Sequence, residues 1–308
     1  MDQSNFQALY RLATTPEALE GTSQYIASQL KPFLSLLEPV LICFPDEGPT
    51  SLGAIFKRSV EICGAIAIVW GPDYRWQELL RLAFDSHANT IIAPPQALLG
   101  LMKMARTTGT PLYVYDVIAC GDPFPGWMVS GLKQGLDCMV WGCYAIGSGP
   151  LVAGFSCAQE AGIHIRDDLF VPVLERSDHA YAPNWGRLYF QYCRDPDLIF
   201  DPEVVALVHH QPCSCGSDEP RVQDTVSSRE DAAYMDSLVE TILTWSSVLD
   251  FRATKSENGL CLELVVFPDE ALPKLPSCAQ LTVRKWNPKT DIPFFVDDLY
   301  YRNVEKYF

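Results

Sequence analysis

Between residues 38 and 144 the hydrophobic positions follow two alternating patterns. Short, β-branched-rich runs predict buried strands: EPVLICF (38–44), AIAIVW (65–70), TIIA (90–93), PLYVYDVIA (111–119) and DCMVWGCY (137–144). Between them lie stretches with apolar residues at helical spacing: SLGAIFKRSVEIC, GPDYRWQELLRLAFDSHA, PPQALLGLMKMAR and PFPGWMVSGLKQGL. Asp73 stands where it can cap the second of these helices, and prolines open the third in its first turn, where a missing N–H costs nothing. Buried strands alternating with amphipathic helices predict an α/β domain over residues 1–145, built on a doubly wound, mostly parallel sheet.

After Tyr144 the period changes. GSGPLVAGFSC, GIHIRDDLFVPVLE and WGRLYFQYC are strand-like segments broken by Gly, Pro and Asp, with no helical spacing. They predict a β-barrel-like antiparallel subdomain over 146–221. A polar joint, QDTVSSRED, then leads to a helix, AAYMDSLVETILTW, and to two strands, VLDFRATK and LCLELVVF, joined by SENG as a hairpin turn. Residues 222–308 are expected to form a small α+β domain, and the chain shows no internal repeat.

Composition narrows the class. The 308 residues are 48% hydrophobic and 20% charged, enough apolar surface for a large core. A net charge of −15 repels phosphate backbones and anionic lipid, so neither nucleic acid nor a membrane is an expected partner. The first residues, MDQSNFQALYRLATTPEALEG, lack the basic and apolar regions of a signal peptide, and no apolar run approaches a membrane span. The expectation is a cytoplasmic protein whose thiols stay reduced. Its eleven cysteines then call for burial, metal or reactivity, and Cys43, Cys63, Cys138 and Cys261, inside apolar runs, read as small core residues.

Familiar cofactor motifs fail. GSGPLVAG places its third glycine at 154 and runs into a strand, and the chain has neither a phosphate-binding G-x-x-x-x-G-K-[ST] nor a G-x-S-x-G elbow. His87 and His179 are isolated and read as solvated or structurally bonded side chains. HHQPCSCGSDEPRV (209–222) is different, because Cys213 and Cys215 on a Ser-Cys-Gly turn can point at one cation, with Gly216 letting the backbone fold back. Cys157 and His164, in FSCAQEAGIHI, supply a natural second pair for a closed, structural zinc site. His209 and His210 are then surplus. The competing reading is two core thiols, a buried imidazole and a coincidental C-x-C.

The order of segments from about residue 48 to 267 resembles the phenylacetate–CoA ligase branch of the adenylate-forming enzymes, in a shortened and divergent form. That family's G-[AG]-E-P turn matches Cys120-Gly121-Asp122-Pro123, and its Y-G-[LM]-[ST]-E strand end matches Trp141-Gly142. Its G-P-G loop matches Gly149-Pro150, its aromatic-x-Cys matches Phe155-Ser156-Cys157, and its G-[IL]-H-I-x-[ED]-D matches Gly162 to Ile165 followed by Asp167-Asp168. Its P-C-x-C-G-x-x-x-P-R-[IV] matches Pro212 to Val222 without a gap, so its cysteines and histidine recur at all four proposed zinc positions.

The resemblance implies ATP- and Mg²⁺-dependent adenylation of a carboxylate, transfer to CoA, and a mobile C-terminal lid. The parts that such chemistry needs are thinned out here. No Ser/Thr/Gly-rich phosphate loop is found, and the nearest candidate, GTSQ (21–24), lacks the glycine pair; the Mg²⁺-associated Glu falls on Ala145. Glu203 is a loose substitute for the ribose-binding Asp, no glycine lies between Gly216 and Gly259 for the hinge, and Lys285 and Lys289 are no clear match for the terminal lysine. Asp122 and Trp141 stand either as pocket residues for a flat ring or as a helix cap and a core aromatic. The expected function is accessory: binding of an aryl or acyl carboxylate or a CoA thioester by Gly121, Asp122, Pro123, Trp141, Gly142 and Glu203. The alternative is an active acyl- or aryl-CoA ligase using atypical residues, and a homodimer or a pairing with a full-length homologue is compatible with either.

Overall fold

The computed structural model describes residues 3–70, 75–121, 126–146, 150–159, 162–175, 184–202, 204–227, 241–242, 244–256, 259–268 and 280–287. Two helices, α1 (Gln3–Ala13) and α2 (Pro16–Leu30), precede the alternating region. Sequence periodicity did not predict them, although Thr15 accepts the Ala18 N–H at the start of α2 and Pro16 occupies its first turn. The alternation then runs β1 (Pro39–Ile42), α3 (Leu52–Ile62), β2 (Ile66–Val69), α4 (Trp76–Asp85), β3 (Thr90–Ala93), α5 (Pro95–Thr108), β4 (Asp116–Gly121), α6 (Gly126–Leu136) and β5 (Met139–Ile146).

These five strands are parallel in the order β2-β1-β3-β4-β5. Both faces are covered, which explains the unbroken apolar runs. Ile26, Leu30 and Phe56 pack with Val40, Ile42, Ile92 and Ile118 on one side; Leu79, Leu98, Leu101 and Leu132 pack with Leu41, Ile91 and Val117 on the other. Each such side chain contributes about 1.5–3 kcal/mol through burial. Two boundaries differ from the sequence expectation. α4 opens at Trp76 with the Arg75 N–H held by Glu78, while Asp73 lies outside the described residues. β4 starts only at Asp116, and Tyr113 and Tyr115 before it are exposed.

The antiparallel half consists of β6 (Leu151–Ser156), β7 (Ile163–Ile165), β8 (Phe170–Glu175), β9 (Trp185–Tyr192), β10 (Asp195–Phe200), β11 (Val204–His209) and β12 (Arg221–Ser227). It continues the same sheet through the antiparallel β5–β6 ladder, in the order β5-β6-β7-β12-β11-β9-β10, with β8 on β9. No ladder closes it into a barrel among the described residues. Its core is aromatic, with Tyr144, Phe170, Phe190 and Phe200 all buried, and along β9 burial alternates residue by residue. β12 pairs with β7 and β11 and reaches Ser227, beyond the boundary expected at 221.

The C-terminal strands β13 (Val248–Ser256) and β14 (Gly259–Val266) form the expected antiparallel pair, joined by residues of which 257–258 lie outside the described set. A third strand, β15 (Gln280–Lys285), absent from the sequence reading, runs parallel to β14. Of the helix expected over 232–245, residues 241, 242, 244 and 245 are described; the first three are helical and Trp245 lies just past the helix. Leu249, Phe267 and Trp286 join the apolar cluster under α4, α5 and α6, so this small sheet rests on one helical layer of the α/β region.

Candidate functional site

Cys157, His164, Cys213 and Cys215 come together although they span three segments of chain. Cys157 directly follows β6, His164 is the middle residue of β7, and the two remaining cysteines sit on the loop between β11 and β12. The sheet explains the convergence. β6 pairs with β7 (Phe155 opposite His164), and β12 pairs with the other edge of β7 (Arg221 opposite His164). Backbones approach closely here, since a Cβ on Gly154 would lie 2.1 Å from the His164 carbonyl oxygen. The loop closes through the Cys213 N–H to the Ser217 carbonyl (2.8 Å) and the Gly216 N–H to the Cys213 carbonyl (2.9 Å). Gly216, at φ +93, makes the reversal possible.

The four ligand atoms all lie within 4.8 Å of one another. Cys157 Sγ is 3.8 Å from Cys213 Sγ, and Cys215 Sγ is 3.6 Å from His164 Nε2. Tetrahedral zinc with Zn–S of about 2.3 Å and Zn–N of about 2.0 Å requires donor separations of about 3.8 Å for S···S and about 3.5 Å for S···N. The donor set and both separations therefore fit a four-coordinate zinc ion. His209 is engaged elsewhere, its Nε2 standing 3.2 Å from Gln223 Oε1.

The electrostatics differ from donor to donor. The Cys215 backbone N–H beside the Cys213 sulfur draws that thiol's pKa down to about 7. Burial pushes the Cys157 thiol up and the His164 imidazole down, which keeps the ring neutral, the state a metal ligand needs. The other ring nitrogen, Nδ1, is buried without a hydrogen-bond partner and faces Glu219 Oε2 at 3.7 Å. Burial raises the Glu219 carboxyl above its usual range. Nothing in the sequence pattern singled out Glu219.

Of the residues expected to line a ligand pocket, Gly121, Trp141 and Gly142 are described. Gly121 ends β4 at φ +152, in the glycine-favoured region, at the carboxyl end of the strands where open α/β sheets place their ligands. Asp122, Pro123 and Glu203 lie outside the described residues. Trp141 sits in the amino-terminal half of β5: its ring stacks on Phe33 (centroids 4.8 Å apart, planes 9° from parallel) and its indole N–H donates to Asp116 at 2.7 Å. Those contacts pack the partly buried ring against protein neighbours. Gly142 is buried in the ladder with its N–H given to Ser156 Oγ at 2.7 Å, so it offers no donor to a ligand. GTSQ is an interior turn of α2 with Thr22 and Ser23 buried, not a loop, because its N–H groups belong to the helix.

No family model matches the chain, and no curated protein does. Solved structures do. 2-Hydroxyisobutyryl-CoA ligase in the postadenylation state matches over 89% of this chain and 67% of its own, with a TM-score of 0.62 at 11% identity. An open conformation of that ligase with 2-HIB-AMP and CoA matches over 76% and 60%, with a TM-score of 0.58 at 12% identity. The amide bond synthetase McbA from Marinactinospora thermotolerans matches over 85% and 60%, with a TM-score of 0.50 at 12% identity. Among the described residues, no helix is long and apolar enough to cross a membrane. The chain thus shares the fold of these CoA-ligase and amide bond synthetase structures.

Proposed function

We propose that this chain binds an aryl or acyl carboxylate, or the corresponding CoA thioester, in an accessory role without efficient ATP chemistry, and that Cys157, His164, Cys213 and Cys215 hold a structural zinc ion. The observation that carries the first part is Ala145. The resemblance puts a Mg²⁺-associated carboxylate at this position, yet Ala145 is fully buried, in a cluster with Ile118, Val152 and Phe155. Adenylation relies on electrostatic stabilisation of phosphoryl charge, and a buried methyl group supplies none. The helical GTSQ segment adds to this, since its N–H groups are not free to wrap a phosphate. Gly121, with Asp122 and Pro123 after it, is assigned to the mouth of the ligand cleft.

The zinc reading is supported by the four convergent donors and their separations. Four protein ligands complete a tetrahedral shell, so the ion would crosslink β6, β7 and the loop before β12 and leave no position for substrate. A working acyl- or aryl-CoA ligase is the second reading, favoured by the fold likeness to CoA ligases captured with acyl-adenylates. It would take its phosphate contacts from atypical residues or from a partner chain, whether a second copy or a full-length homologue, with Glu203 as the substitute for the ribose-binding carboxylate and Glu203 and Asp122 as the first residues to mutate.

The test is pyrophosphate release from Mg·ATP over a panel of carboxylates, with calorimetry of the carboxylates and CoA thioesters alone. The accessory reading expects ATP binding in the millimolar range or weaker, about 4 kcal/mol or less, with measurable binding of a flat carboxylate or thioester. Turnover at about 1 s⁻¹ or faster, an ordinary enzymatic rate, overturns it in favour of the ligase.

A further inference from the structure

We infer that Glu219 is the positioning residue of the metal centre: its carboxylate holds the His164 ring in the Nδ1–H form and so assigns Nε2 to the metal. The inference rests on the zinc reading above. The two ring nitrogens face different chemistry, Nε2 toward the sulfurs (3.6 Å from Cys215 Sγ) and Nδ1 toward Glu219 Oε2 at 3.7 Å. A neutral imidazole carries one N–H. Placed on Nε2, that proton would occupy the side where the donors converge and would leave an Nδ1 lone pair against a carboxylate oxygen. Placed on Nδ1, it points at the carboxylate and frees the Nε2 lone pair.

Glu219 is itself fixed to the cysteine loop. Its N–H donates to Ser217 Oγ at 3.1 Å, the Ser217 hydroxyl donates back to Oε2 at 3.1 Å, and the Ser217 carbonyl accepts the Cys213 N–H at 2.8 Å. The carboxylate that orients the histidine therefore belongs to the same turn that presents two of the thiolates. Ring orientation and loop closure are set together. Outer-shell carboxylates of this kind change metal affinity by about 10- to 100-fold when removed.

The experiment compares the full chain with its Glu219→Gln variant, which keeps the volume and a hydrogen-bonding group, using chelator competition for Zn²⁺ and ¹⁵N NMR of the His164 ring in zinc-loaded protein. The expected result is one zinc bound through Nε2 with Nδ1 protonated, and a 10- to 100-fold weaker affinity in the variant. In a His164→Cys background, where no imidazole needs orienting, Glu219→Gln should change affinity by less than about twofold, whereas a purely structural role in the turn would persist. Should His164→Cys fail to fold, the ring spectrum decides alone. Zinc held equally tightly by Glu219→Gln, or bound through Nδ1, removes the role of Glu219 while leaving the zinc site in place. A native chain that takes up no Zn²⁺ removes both.

Discussion

The ammonium of Lys103, on α5, donates a 2.8 Å hydrogen bond to the carbonyl of Val248 at the start of β13, across 145 positions of chain. Both residues are buried, and the apolar cluster beside them takes in Leu249, Phe267 and Trp286 from the C-terminal unit. A polar tie inside an apolar seam fixes the orientation of the small sheet on the helical layer, because sliding would strand a buried donor and acceptor together.

Lys103→Met should therefore loosen the C-terminal sheet selectively, at a cost of about 2 kcal/mol. Hydrogen exchange should quicken across β13 and β14 and stay slow in β1, β3 and β4. Unchanged protection of β13 and β14 would show that the tie is dispensable. Together with the lack of glycine from Ser217 to Asn258, this docking predicts one orientation of the C-terminal unit in every ligand state. A wide rotation about residues 222–230 between two crystal forms would refute it.

The cluster of Cys157, His164, Cys213 and Cys215 should bind about one zinc ion per chain, with Zn–S of about 2.3 Å by X-ray absorption. Chelation, or Cys213→Ser, should lower stability by several kcal/mol and raise exchange in β6, β7 and β12 together, since the site joins these elements. A metal-free chain of unchanged stability is the adverse outcome.

Acid should act on the metal-free protein through His164. Burial lowers its folded pKa below 6.5, so the unfolded chain binds more protons in that window. The stabilising contribution is complete above pH 6.5 and disappears as pH falls through the lowered folded value. Glu219, raised by burial, acts in the opposite sense, and Glu219→Gln removes that compensation. Denaturant midpoints of metal-free Glu219→Gln should fall more steeply below pH 6.5 than those of the unsubstituted chain; parallel curves would contradict the assignment.

Asp116 holds the Trp141 indole N–H while burial raises its carboxyl above 3.8 and Glu38 adds to the rise. Trp141→Phe should cost about 2 kcal/mol through loss of a hydrogen bond to a charged acceptor. Asp116→Asn keeps an acceptor and removes the charge. A raised carboxyl favours the folded state fully below pH 3.8 and loses that contribution as pH rises through its folded value, so the Asn variant should compare best at pH 7 and lose ground toward pH 4. Urea midpoints at both pH values decide the matter.

Ala145→Glu restores the carboxylate that the resemblance expects. In a fully buried cluster with Val152 and Phe155 it should destabilise the fold by 3 kcal/mol or more, roughly the cost of an unpaired buried charge, and generate no pyrophosphate release. A stable, active variant would show that position 145 opens on the cleft.

Strands such as TIIA, found at Thr90–Ala93 as expected, were legible because a strand buried on both faces writes itself as an unbroken apolar run. The convergence of Cys157, His164, Cys213 and Cys215 was legible too, because a set of soft ligands at metal-like spacing restricts residue type strongly and the C-x-C turn with Gly216 is local. α1 and α2 were harder to read, since α2 buries Thr22, Ser23 and Ala27 along with Ile26 and Leu30 and so blurs its apolar stripe. β15 depends wholly on its parallel partner β14, with most of its residues exposed. The neighbours of the Trp141 ring, Phe33 and Asp116, come from distant segments and could not be read from the sequence. Glu219 carried no signal at all until β7 and β12 paired and brought its carboxylate to the orphaned nitrogen of His164. Residue type and short-range spacing determined the strands, the helices between them and the four members of the Cys/His cluster. Which nitrogen meets which neighbour, which end of a strand a ring occupies and where the C-terminal sheet docks were decided by tertiary structure, because those contacts exist only once segments remote in sequence share one surface.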